Sequence, residues 1–241
     1  PSLSGHVIRL TALSDPVSGQ HTYLDADTIN AEGKFELEVE IETTEEVYIS
    51  INRFRAPLFI SPGSTYSIFL PEQPEFDLLP TWRPSGFEYI FENPDSSDIN
   101  FRIAEFDEAY FSFYRDNAQL IGTSAIKNAI REFAAEMDSS DGFIHTYKSY
   151  SLAEMKLSAG FPKNELYTTY LKDEYLHWEN PAYRIFFEKF YGDYFDEYDI
   201  RFGGESLVNR LRKGLTYQEL DSLLLEDDFL QREDLRQWVI L

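Results

Sequence analysis

The chain changes its hydrophobic period roughly a third of the way along. Residues 35–42 read FELEVEIE, in which apolar residues alternate strictly with glutamates. A period of two residues puts the apolar side chains on one face of a strand and the glutamates on the other. This pattern is typical of an antiparallel sheet with one packed face and one wet face. After residue 98 the apolar residues recur every three or four positions, which predicts helices.

Short strands are predicted throughout the first part of the chain. Turn signals separate them, among them residues 30–33 (NAEG), which should close a hairpin into residues 35–42, and residues 61–64 (SPGS). Strands this short, with turns this close, favour a β-sandwich. The predicted strands cover residues 6–13, 21–29, 35–42, 47–52, 56–60 and 65–70, with a further edge strand at residues 87–91.

A proline-rich stretch separates the predicted strands from the predicted helices. Prolines stand at positions 71, 74, 80, 84 and 94, and proline cannot donate to a ladder. We therefore predict an α+β chain of two domains. Residues 1–95 form an antiparallel β-sandwich with a connector from about residue 71, and residues 96–241 form an all-helical domain.

Capping residues mark several helix starts. Ser97 or Asp98 precedes the first helical stripe, Asn180 stands before Pro181, and Thr216 with Glu219 forms a capping box. The predicted helices cover residues 99–113, 126–137, 143–157, 164–175, 180–195, 217–224 and 228–239.

Charge and composition exclude several classes of function. The 241 residues include 21 basic and 43 acidic ones, which gives a net charge of −22. Such a field repels nucleic acid and anionic membranes. The absence of cysteine excludes disulfides, zinc thiolates and thiol catalysis within these residues. No apolar run approaches the roughly 18 residues that a transmembrane helix needs.

No motif predicts a catalytic, cofactor or metal site. Residues 25–30 (DADTIN) differ from a calcium loop, because Ile29 takes a ligand position and glycine comes only at 33. The histidines lack ligand spacing, and neither a GxSxG elbow nor a glycine-rich phosphate loop is present. A solvated acidic surface is favoured over a metal site for the cluster of Asp193, Asp196, Glu197 and Asp199.

Two binding or catalytic alternatives stay open. Trp82, Trp178 and surface tyrosines have rings that can stack on sugars in a glycan-binding module, although core packing explains such rings better. A hydrolase with paired carboxylates is also possible, because so many acids always provide a pair. Neither alternative is specific.

Five phrases of the chain resemble one protein family. They are NAEGKF (30–35), LFISPGSTY (58–66), YSLAEMKL (150–157), NPAYRIFF (180–187) and LRQWVIL (235–241). Together they resemble the N-terminal region of thioredoxin-like disulfide reductases of the bacterial cell envelope. The resemblance implies a β-sandwich and a helical segment before a thioredoxin domain, in an exported protein with a possible lipid anchor upstream. The family's CxxC pair is absent here, so no active-site residue is carried over.

We therefore expect a non-catalytic module of the cell envelope. Its partner would be another protein or an attached thioredoxin-like domain, and the alternatives are a glycan- or peptide-binding module and, last, an acid-pair hydrolase. The expected interaction surface consists of Phe186, Phe190 and Trp238, with Trp82 and Trp178 as further candidates.

Overall fold

The computed structural model describes residues 3–52, 54–70, 86–92, 95–137, 142–192, 194–195 and 207–240. The chain is α+β, with antiparallel strands followed by helices. It divides into two compact units, Pro1–Tyr110 and Phe111–Leu241, which we call the sheet unit and the helical unit. The division falls inside the first helix, later than the boundary that the sequence predicts near residue 95.

A four-stranded antiparallel sheet forms the base of the sheet unit, with strand order β2-β1-β3-β4. The register pairs Leu10 with Ile49, and Ile49 with Ala56, so alternate apolar residues of three strands share one buried face. The predicted strands at residues 6–13, 21–29, 47–52 and 56–60 are therefore confirmed. The strands are β1 (Val7–Asp15), β2 (Gln20–Thr28), β3 (Glu45–Ile51) and β4 (Phe54–Ile60).

A second, two-stranded ladder completes the regular strands that the structure describes. It pairs β5 (Ile68–Phe69) with β6 (Ile90–Phe91) in antiparallel fashion. The predicted strands at 65–70 and 87–91 are thus much shorter than expected. Next to β6, the Tyr89 hydroxyl donates to the Pro57 carbonyl at 2.7 Å. Burial, assisted by the negative charge of Asp98, raises the pKa of Tyr89 to about 12.

Residues 35–42, which we call the alternating segment, do not form a strand ladder. The prediction of a strand here is wrong, although the turn before it forms, with the Gly33 amide donating to the Asn30 carbonyl at 3.0 Å. The exposure of the side chains still alternates as predicted. Its apolar residues, Phe35, Leu37, Val39 and Ile41, are half-buried against the core, and its glutamates are exposed.

The first helix, α1 (Ile99–Asp116), closes the outer edge of β4. The Asn100 side chain donates to the Phe59 carbonyl at 2.7 Å, and the Phe59 amide donates back to the Asn100 side chain at 2.8 Å. Asn100 is buried, so its amide replaces a neighbouring strand at this edge.

Seven further helices follow in the described part of the chain, after a short 3₁₀ turn at Ala118–Leu120. Three predicted caps are confirmed: Asp98 accepts from the Asn100 amide, Asn180 from the Ala182 amide, and Thr216 forms a capping box with Glu219. The helices are α2 (Ala125–Glu136), α3 (Gly142–Ser158), α4 (Lys163–Tyr170), α5 (Pro181–Tyr191), α6 (Leu207–Arg212), α7 (Tyr217–Leu224) and α8 (Glu233–Ile240).

Aromatic rings from α3 and α5 build the core of the helical unit. The ring of Tyr150 lies 4.9 Å from that of Tyr183 and 5.9 Å from that of Phe186. Two buried carboxylates are also satisfied there, since Glu154 accepts from Ser158 and Lys189, and Asp227 accepts from the Tyr194 hydroxyl. The interior of this unit is thus filled by ring contacts, and both of these carboxylates are paired.

Candidate functional site

An open cleft of about 1610 Å³ with an apolar floor lies over the inner face of the four-stranded sheet. Leu10, Ile49 and Leu58 belong to its floor, and the alternating segment forms one wall. Residues 61–70, which lead into and beyond β5, form the other wall. Pockets for small molecules commonly hold about 300–1,000 Å³, so this cleft has room for a segment of polypeptide.

Asp25 and Asp27 of β2 hold the alternating segment in place. The Asp25 carboxylate accepts from the Glu38 amide at 2.8 Å, and the Asp27 carboxylate accepts from the Glu36 amide at 2.8 Å. Their second oxygens accept from the amides of Ala26 and Thr28 in β2 itself. Hydrogen bonds from amides to ionised carboxylates are among the stronger ones in proteins.

These two carboxylates also explain why the cleft is open. Neighbouring strands that pair directly lie about 4.7–4.9 Å apart. Here a carboxylate stands between the two backbones, so the alternating segment is farther from β2 than a paired strand would be. The alternating segment is consequently held apart from the edge of the four-stranded sheet.

The alternating segment has a free main-chain edge. In an extended chain, successive amides point to opposite sides. The amides of Glu36 and Glu38 point to β2, which places the amides of their odd-numbered neighbours on the other side. Within the described residues, these amides donate no hydrogen bond; they belong to Phe35, Leu37, Val39 and Ile41.

The lining of the cleft is strongly acidic at its border. Among the described residues that line the cleft, Lys34 is the one basic residue. In a chain of net charge −22, this border attracts cations and repels anions. The acidic residues of the lining are Glu32, Glu36, Glu38, Glu40, Glu42 and Glu92.

Two of the residues predicted to form an interaction surface lie in the interior instead. The Phe186 side chain is 0% exposed and the Phe190 side chain is 1% exposed, both within the aromatic core of the helical unit. Their helical spacing, shared with Tyr183, is that of the buried face of α5. The folded unit therefore offers neither ring to a partner, and their expected role as surface residues is corrected to core packing.

The tryptophans in the described part of the chain pack on each other. The rings of Trp178 and Trp238 are 4.4 Å apart, and Trp178 also contacts Tyr183 and Phe187 at 5.2 and 4.9 Å. Both tryptophans are half-buried, and these contacts cover part of each ring. Trp82 lies outside the described residues.

The remaining candidates of the sequence do not converge on a site. Asp25 and Asp27, the acids of the calcium-like stretch, lie in β2 and bind main-chain amides. The acidic cluster of Asp193, Asp196, Glu197 and Asp199 lies outside the described residues. Among those that are described, no group of histidines and acids is placed to hold a metal ion, and no helix is long and apolar enough to cross a membrane.

The sequence reasoning missed the cleft and the two aspartates that open it. A signal was present, because Asp25 and Asp27 alternate with the same period of two as the segment at 35–42. Acids at alternate positions of an edge strand share one face, where they can accept from a neighbouring chain.

Comparison with known proteins adds no relative to these observations. No family model, no curated protein and no solved structure matches the chain.

Proposed function

We propose that this chain is a non-catalytic binding module of the cell envelope, and that the cleft of its sheet unit receives a segment of a partner protein. The observation that carries the proposal is the open cleft, with its half-buried apolar wall and a main-chain edge that is unpaired within the described residues. Burial of the half-exposed apolar side chains of the wall, Phe35, Leu37, Val39 and Ile41, supplies the main favourable free energy.

The fold supports this role if the sheet unit is an incomplete sandwich. The four-stranded sheet is one layer, and the alternating segment with the β5–β6 ladder is the other. We propose that the two layers form the sandwich domain expected from the sequence, open between its two walls, and that the helical unit is a separate domain.

The proposed location and partner rest on the resemblance to thioredoxin-like disulfide reductases. In such an arrangement, a thioredoxin-like domain, attached or separate, carries the CxxC chemistry, and this chain binds and positions it or its substrate. The chain itself contains no cysteine and contributes no redox group.

Selection from a displayed library of short random peptides tests the proposal. We expect peptides to be enriched on the wild-type chain and lost on Leu37→Gln, which replaces an apolar side chain of the cleft wall. The matched control is Ile90→Gln, in β6, because Ile90 is 57% exposed and does not line the cleft. Enrichment that is equal on both variants, or absent on the wild type, would sink the proposal.

A further inference from the structure

We propose that the occupant of the cleft is an extended segment in which apolar residues alternate with basic ones, and that it pairs with the free edge of the alternating segment as an added strand. This inference rests on the proposed function, because it specifies what the cleft receives.

The main chain supplies the first argument. The amides of Phe35, Leu37, Val39 and Ile41 lie in a row on one edge, and the residues that carry them line the cleft. An exposed row of this kind pairs readily with an extended chain, which is the basis of strand addition in peptide recognition. The second layer thus has room for one more strand between its two walls.

The pleat of that added strand determines its sequence pattern. Alternate side chains of a strand point to opposite faces. One set would point into the cleft beside the half-buried Phe35, Leu37 and Val39, where apolar residues are favoured. The other set would point out beside Glu36, Glu38 and Glu40, whose side chains are exposed.

Electrostatics selects basic residues for the outward set. The glutamates of the alternating segment carry like charges on one face, and a cation opposite them relieves their repulsion. Complementary charge of this kind raises association rates and excludes acidic partners. A second copy of this chain fits poorly for the same reason, because each copy has a net charge of −22.

The experiment uses the full chain and a synthetic peptide of alternating valine and lysine, as long as the alternating segment. Nuclear magnetic resonance follows the methyl groups of Leu10 and Ile49 and the exchange of the segment's amides. We expect binding to slow exchange at Leu37 and Val39 by about tenfold or more, with no change at Glu40. Added salt should weaken binding.

Two modified peptides test the pairing itself. In one peptide, the backbone nitrogen of every valine is methylated. In the other, the backbone nitrogen of every lysine is methylated. Because the two sets of amides lie on opposite edges of a strand, only one of these peptides should lose the protection at Leu37 and Val39. A valine–glutamate peptide and a peptide of equal composition with helical spacing should not bind.

Two protein variants provide a matched comparison. Val39→Pro removes a backbone N–H from the free edge of the alternating segment. Glu40→Pro removes a backbone N–H from the edge that faces β2. We expect the first to weaken peptide binding at least about tenfold and the second to leave it nearly unchanged. Each variant must keep the wild-type methyl spectrum of the core.

The outcomes separate this inference from the proposed function. If the methyl groups shift but both methylated peptides bind with equal affinity, the cleft binds peptides and strand addition is wrong. If the valine–glutamate peptide binds equally well, the basic character of the partner is wrong. If the chain dimerises with the same amides protected, the occupant is a second copy. If no peptide shifts the methyl groups, both proposals fail.

Discussion

The helical unit fills its core with aromatic rings, whereas the sheet unit leaves a cleft above its aliphatic side chains. In the helical unit, Tyr150, Tyr183 and Phe186 contact one another or share neighbours, and each is almost fully buried. In the sheet unit, the inner face of the sheet is buried, but the wall above it is half-buried.

The difference follows from how each core is closed. Rings on facing helices interdigitate without help from main-chain pairing. The alternating segment of the sheet unit forms no ladder, because its amides at Glu36 and Glu38 donate to the carboxylates of Asp27 and Asp25 instead. A packed core gives stability, while a wall held by a few polar contacts leaves surface for a partner.

The largest expected contrast between the two cores comes from truncating one residue in each. Phe186→Ala should lower the opening free energy of the helical unit by about 3–5 kcal/mol, because it leaves a cavity in a closed core. Leu37→Ala should lower that of the sheet unit by about 1 kcal/mol, because its side chain is already half in water. Native-state hydrogen exchange at Phe190 and Ile49 measures the two values in the same way.

The exposed Phe111, in the helical unit, provides the control for ring removal. It is 63% exposed, and Phe111→Ala should change the opening free energy by no more than about 0.5 kcal/mol. Equal losses for Phe186→Ala and Leu37→Ala would mean that the cleft wall is packed as tightly as the aromatic core, and the comparison would not hold.

The outer edge of β4, in the four-stranded sheet, provides the next test. Asn100 closes the edge of β4 with two hydrogen bonds to Phe59. Asn100→Ala removes both, and the cost should be about 1–3 kcal/mol, measured as faster exchange of the Phe59 amide. Ser97→Ala, at an exposed position just before α1, should cost about 0.5 kcal/mol or less. If both variants exchange at the wild-type rate, Asn100 does not secure this edge.

Replacing either of two tyrosines of the aromatic core with phenylalanine should change the free energy of unfolding, but in opposite directions. The Tyr150 hydroxyl donates to the Tyr170 carbonyl at 3.0 Å, whereas the buried Tyr183 hydroxyl has no partner within the described residues. We expect Tyr150→Phe to cost about 1 kcal/mol and Tyr183→Phe to gain about 1 kcal/mol in urea unfolding followed by circular dichroism. A loss for Tyr183→Phe would reveal a bonding partner for that hydroxyl.

Local signals in the sequence predict many elements of both units, although helix α6 was not predicted and residues 35–42 form no strand ladder. The caps at Asp98, Asn180 and Thr216 depend on atoms a few residues away, so the sequence alone reveals them. The aromatic stripe of α5 is equally visible. Its assignment to a surface was wrong because periodicity shows that a face is apolar but not whether another element covers it.

Contacts distant in sequence were beyond such reasoning. The alternating segment has a perfect strand pattern, yet it lacks a ladder because its amides donate to side chains of β2 that lie 9 and 13 residues earlier. The pairing of Asn100 with Phe59 spans 41 residues and has no local signature. The cleft arises from such contacts, which is why the sequence did not predict it.

The smallest expected effect is a difference in pH dependence between the units. A hydrogen bond from Arg232 holds the pKa of Asp234, in the helical unit, below its usual value. Desolvation raises the pKa of Glu45, in the sheet unit. A lowered carboxyl pKa adds stability above the pKa of the unfolded chain, and this stability is lost as the pH falls through the folded value. A raised carboxyl pKa has the opposite effect. Stability is lost as the pH rises from the pKa of the unfolded chain to that of the folded protein.

Asp234→Asn and Glu45→Gln should therefore shift the pH profiles in opposite directions. Asp234 is 49% exposed, so solvent screening limits its contribution to about 0.3–1 kcal/mol, which Asp234→Asn should remove at neutral pH but not at strongly acidic pH. Glu45→Gln should raise stability at neutral pH and have little effect in acid. Urea titrations across the acidic range, read from resonances of each unit, measure both. Parallel profiles for the two variants would contradict the opposite pKa shifts of Asp234 and Glu45.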